Sequence, residues 1–72
     1  MIIAMEIKIQ KSYITLTQAL KEAGIINTGG QAKWYLQENK VLVNGTPEKQ
    51  RGKKLYPGDK VQLESQQILQ II

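Results

Sequence analysis

The stretch Thr28–Gly45, TGGQAKWYLQENKVLVNG, holds two hydrophobic periods in succession. Ala32, Tyr35 and Leu36 recur at i, i+3 and i+4, the spacing of one helix face. Thr28 stands where a helix N-cap belongs, and Gln31, three residues on, completes a capping box. Asn39 is expected to end the helix in the left-handed conformation. From Val41 the period becomes two: Val43 shares a side with Val41, and Leu42 points the other way. Asn44-Gly45 then gives the strongest short hairpin signal. A capped helix that hands over directly to a hairpin predicts an α+β fold.

Upstream, TLTQALKEAG (Thr15–Gly24) repeats the device. Leu16, Ala19, Leu20 and Ala23 make an apolar stripe, Thr15 and Gln18 a second capping box, and Gly24 a left-handed stop. The connection through Ile25, Ile26 and Asn27 is short, so the two helices are expected to pack at an angle with the isoleucines between them. Before them, Ile3, Met5, Ile7 and Ile9 alternate with Ala4, Glu6, Lys8 and Gln10, an extra N-terminal strand with one buried face. Downstream, a return strand is expected over 46–50, weakened by Pro47. RGKKL reads as a basic loop or irregular strand. Pro57 and Gly58 suit the second and third places of a turn, and Asp59 reads as a turn residue. KVQLE is a strand with Val61 and Leu63 inward. The tail SQQILQII reads equally as a further strand or as a cover for the sheet or a neighbouring subunit.

The chain has 72 residues, the size of one small domain, expected to span 1–72. It contains neither cysteine nor histidine. That removes disulfides, the usual zinc ligands and the usual catalytic base or nucleophile pairs, and it fits a reducing cytoplasm. Its carboxylates show no metal-site spacing, and no phosphate-loop, dinucleotide or nucleophile-elbow pattern occurs. No enzyme, metal or cofactor is therefore expected. The apolar N-terminus lacks a preceding positive charge and is broken by Glu6, unlike a signal peptide, and no run approaches the ~20 apolar residues of a membrane span. A net charge of +4 is read either as attraction to a polyanion or as ordinary solubility charge.

On a wheel of 100° per residue centred on Ala32, Lys33 lies about 100° away, Gln37 about 140° and Trp34 about 160°. Trp34 is thus off its helix's core stripe: it is either exposed for stacking on a base or sugar, or covered by one of the chain's apolar ends. Gly29 and Gly30 leave the first-turn amides open to an anion; the other reading is a loosely wound turn or close packing against a neighbour. Lys49, Arg51, Lys53 and Lys54 cluster after the hairpin, with Lys21 and Lys40 as further candidates. Arg51, the single arginine, is the best candidate for a two-pronged phosphate or guanine contact. Each of these cations taken alone is also readable as a solvated charge.

The order of helix, short turn, TGGQAKWYL, VLVNG, basic stretch, PGD and final strand resembles the S-four-type RNA-binding domain, over about 14–63. Similar domains accompany pseudouridine synthases, tyrosyl-tRNA synthetases and heat-shock ribosome-associated proteins. The double glycine, VNG and RGKKL look most like small stand-alone bacterial members. The resemblance implies two packed helices followed by a small, bent antiparallel sheet, the alpha-L motif. It also implies a cytoplasmic, non-catalytic module that meets structured ribosomal or transfer RNA, with the ribosome or its proteins as further partners. Thr28, Gly29, Gly30, Gln31, Lys33, Trp34 and Gln37 at the second helix, with Lys49, Arg51, Lys53 and Lys54, are the implied contacts. Two departures stand out. Larger relatives often carry arginines near each helix start, where Thr15, Gly29 and Gly30 stand here, and Asn39 replaces a common glycine. A protein-interaction module and a small DNA binder are the alternatives, and a monomer is the expected state.

Overall fold

A computed structural model describes residues 3–72; Met1 and Ile2, which open the apolar N-terminus, lie outside the described residues. The elements run β1 (Ile3–Ile7), β2 (Ile14–Thr15), α1 (Leu16–Glu22), α2 (Gly29–Glu38), β3 (Val41–Val43), β4 (Thr46–Pro47), β5 (Lys54–Leu55), β6 (Lys60–Leu63) and β7 (Gln67–Ile71). The two helices and the five-stranded sheet, ordered β1-β7-β6-β3-β4, give the expected α+β architecture. The sheet is antiparallel except at β1, which pairs in parallel with β7. β2 and β5 form a separate two-stranded sheet.

Local chemistry explains where the helices begin and end. At α1 the Thr15 hydroxyl accepts from the Gln18 N–H (3.3 Å) and the Gln18 Oε1 accepts from the Thr15 N–H (3.2 Å), closing the capping box. Its far end is a Schellman stop. Gly24 takes φ +76°, its N–H donates to the Lys21 carbonyl, and the Ile25 N–H reaches back to Leu20. α2 ends differently from expectation. Asn39 is extended (φ −125°, ψ 144°), not left-handed, because the chain passes straight into β3. Its side-chain amide instead donates to the Tyr35 carbonyl at 3.1 Å.

Asn44 (φ 52°) and Gly45 (φ 85°) form the tight β3–β4 turn that the sequence signals. The return strand is shorter than the expected 46–50, because Pro47 has no N–H for the ladder; beyond it the Glu48 N–H bonds the Val41 carbonyl. The ambiguous tail is a central strand. Leu69 and Ile71 are fully buried, and Leu69 pairs with Val61, which pairs with Val43. The extra N-terminal strand buries its side only progressively: Ile3 is 56% exposed, Met5 half-buried against the core and Ile7 buried within it, along a strand at the sheet edge. The core joins Leu16, Ala19 and Leu20 of α1 and Ala32 and Leu36 of α2 to the inward row of the sheet, with Leu55 and Ile26 closing its sides.

Candidate nucleic-acid interface

The loop between β4 and β5 is held by its backbone. The Thr17 N–H and hydroxyl both donate to the Arg51 carbonyl (3.0 and 2.8 Å), and the Leu16 N–H donates to the Lys53 carbonyl (2.8 Å). The first-turn amides of α1, otherwise without partners, thus dock the loop and fix its carbonyls. The side chains of Lys49, Gln50, Arg51 and Lys53 stay exposed.

Between this loop and α2 lies an open groove of about 520 Å³, lined by Lys33, Gln37, Lys49, Gln50, Arg51 and Gly52. Three cations line it and no carboxylate does. Four of the residues singled out in the sequence, Lys33, Gln37, Lys49 and Arg51, therefore meet in one place. Gln50 and Gly52 join them. No side-chain chemistry marked these two beforehand; their place follows from the docked loop.

Lys53 and Lys54 do not join the groove. They line a separate recess with Glu48, Tyr56 and Asp59, so carboxylates stand beside them. Lys54 also sets its ammonium 5.0 Å from the centre of the Tyr13 ring. The split comes from the β2–β5 pairing, which places Lys54 opposite Thr15 and turns this end of the loop away from α2. Lys40 sits on a further side, in a recess with Glu64, whose carboxylate accepts from the Lys40 N–H at 2.8 Å. Burial and, to a lesser degree, Glu64 raise the phenol pKa of Tyr35 above its ordinary value.

Trp34 is 62% exposed, which removes the reading that a chain end covers it. By helical spacing Gly29, Lys33, Gln37, Gly30 and Trp34 fall, in that order, within about 140° of one another on one face of α2. The glycines are not demanded by packing. A Cβ at Gly30 would come no closer than 3.9 Å to the Thr28 hydroxyl, and one at Gly29 would lie 3.8 Å from the Thr17 methyl. Neither takes a positive φ. Among the described residues, their N–H groups find no protein acceptor. The Thr17 contact also puts the start of α2 beside the residue that anchors Arg51. Gln31 closes the turn that leads into α2, where its Oε1 accepts from the N–H groups of Asn27 (2.6 Å) and Thr28 (3.3 Å). The Thr28 hydroxyl lies in capping position, but the Gln31 N–H bonds the Thr28 carbonyl at 3.2 Å.

Two helices and a sheet thus follow the order that the resemblance implies, and a groove lined by three cations lies between the second helix and the β4–β5 loop. A family model described as S4 domain matches residues 7–71. The chain belongs to the S4 domain family. The match extends past 14–63 at both ends, as the sheet does: β1 and β7 close one side of it. This S4 chain is 48% identical over 66 residues to a protein of Bacillus subtilis (strain 168) named "Probable ribosome maturation protein RlbA", with 92% of this chain and 93% of that protein covered. Among the described residues of the S4 fold, no helix is long and apolar enough to cross a membrane.

Proposed function

We propose that this chain is a non-catalytic RNA-binding module that acts on the ribosome or its precursors in the cytoplasm and grips structured ribosomal RNA. The observation that carries the reading is the groove in which Lys33, Lys49 and Arg51 meet with no carboxylate in the lining. Membership of the S4 family and the similarity to a protein named for ribosome maturation support ribosomal RNA ahead of transfer RNA. In this reading Lys33, Lys49 and Arg51 neutralise phosphates, Arg51 with its two-pronged guanidinium. The open amides of Gly29 and Gly30 receive another phosphate. Trp34 and Gln37, on the same helix face, meet a base or ribose. Thr28 and Gln31 shape the helix start. Lys53 and Lys54 add long-range attraction from beyond the groove.

Fluorescence anisotropy with fragments of ribosomal RNA across a salt series tests this. Three phosphates neutralised by cationic side chains predict a slope of log affinity against log salt of about −2 to −3. Arg51→Ala removes a charge-assisted contact and is expected to weaken binding about tenfold or more. Lys53→Ala, beside Glu48 and Asp59, is expected to have a smaller effect. A flat salt response, or an Arg51→Ala protein that binds like the parent, would move the assignment to a protein partner. Tighter binding to duplex DNA than to folded RNA would move it to a DNA binder.

A further inference from the structure

A second surface, sharing no lining residue with the α2 groove, combines lysines with a tilted pair of aromatic rings. Tyr13 and Tyr56 are 39% and 48% exposed, with ring centres 6.1 Å apart and planes tilted by 52°. Lys54 stands over one face of the Tyr13 ring. The same ring walls an open cleft of about 320 Å³, whose polar side chains include Lys8, Lys11, Gln18 and Glu22. Charged groups facing this cleft therefore sum to a positive excess, even with Glu22 included. The tyrosines come from distant parts of the chain, one before β2 and one after β5, so the β2–β5 pair is what assembles them.

We propose that this cleft is a second nucleic-acid contact, which takes an unpaired nucleotide of the bound RNA. Its base stacks on Tyr13, and Lys8 and Lys11 reach the flanking phosphates. An exposed ring with ammonium groups around it is the combination that holds single-stranded nucleic acid without sequence preference. The ammonium over the ring keeps Tyr13 in place by cation–π attraction. The loop from Arg51 to Lys54 links the two surfaces, so folded RNA in the α2 groove would offer an adjoining unpaired segment to the tyrosines. The inference rests on the RNA-binding reading, but its test separates the two.

The test follows the Tyr13, Tyr56 and Trp34 ring resonances by NMR during titration with an eight-nucleotide oligouridine, in the parent and in Arg51→Ala. The tyrosine resonances are expected to shift in both proteins. Tyr13→Phe should retain binding, whereas Tyr13→Leu, checked by its melting curve, should weaken it about 5- to 150-fold, the range for one lost base stack. If the oligonucleotide moves only Trp34, or Tyr13→Leu binds like the parent while Arg51→Ala still weakens folded-RNA binding, the second contact is overturned and the groove stands. If no RNA binds the parent, both readings fall. Tighter saturation of the tyrosine signals by an acidic peptide than by the oligonucleotide would overturn the nucleic-acid assignment of the cleft.

Discussion

On the proposed reading, Gly30 is a position where folding and binding should separate. A Cβ there meets nothing closer than 3.9 Å, and the backbone needs no positive φ. Glycine inside a helix is destabilising by about 0.5–1 kcal/mol relative to alanine. Gly30→Ala is therefore expected to raise the melting temperature by about 2–8 °C, the scaling for a domain of this size. Gly30→Glu is expected to fold at least as well, since a carboxylate near a helix start suits the dipole, yet to bind RNA about tenfold or more weakly, because it covers the amides and repels phosphate. Calorimetry and anisotropy on the two variants check the pair. If Gly30→Glu binds RNA like the parent, the helix start is no phosphate site. Tyr35 gives a pH prediction. Its folded pKa is raised above the ordinary value of 10.0 by burial and then by Glu64. The contribution of the neutral phenol is intact below that value and is lost as pH climbs through the higher folded value. Tyr35→Phe should make alkaline melting less steeply pH-dependent, and identical curves for the two proteins would contradict the shift.

The turns show why some elements are legible in the sequence and others are not. The capping box at Thr15, the Gln31 half of the box at Thr28, the Gly24 stop and Asn44-Gly45 are decided by residues a few positions apart, and the structure has each in place. The β6–β7 turn has no such mark. It puts Gln66 at φ 66°, a conformation that usually announces itself with glycine or asparagine. The tail after it therefore reads equally as a cover and as a strand. Asn39 misleads in the opposite sense: a left-handed residue type sits in extended backbone because β3 follows at once. Likewise the four cations after the hairpin lie close together in sequence, and the β2–β5 pairing, formed by residues about 40 positions apart, separates Lys53 and Lys54 from Lys49 and Arg51. Asp59 ties two turns together. Its carboxylate accepts from the Tyr56 N–H (2.8 Å) and from the Asn44 side-chain amide (3.0 Å), while the Asn44 side-chain oxygen accepts from the Lys60 N–H (3.0 Å). Asp59→Ala is expected to lose about 1.5–3 kcal/mol in urea unfolding, the range for charge-assisted bonds. A loss under ~0.5 kcal/mol, the level of an ordinary surface substitution, would show that water replaces the latch.

At the scale of the whole molecule, the two ends of the chain hold each other. β1 pairs with β7 along its length, and the Ile72 N–H and carbonyl bond the Ile7 carbonyl and the Ile9 N–H. The tail also fastens the 56–59 turn: the Gly58 N–H donates to the Ile71 carbonyl, and the Ile71 N–H to the Asp59 carbonyl. Leu69 and Ile71 lie at the centre of a core in a domain too small to have much stability in reserve. Truncating either to alanine is expected to cost about 2–5 kcal/mol. Removing residues 67–72 takes both away, strips β1 of its partner and leaves the edge of β6 unpaired, so the shortened chain is expected to lose its cooperative thermal transition. The Lys33–Arg51 groove draws its geometry from α1, α2 and the docked loop, and touches β7 nowhere. Its loss on truncation would therefore come through global unfolding, and Leu69→Ala discriminates the two routes. Far below its reduced melting temperature that variant should bind RNA like the parent; weak binding by a protein that circular dichroism shows to be folded would mean that the sheet shapes the groove directly.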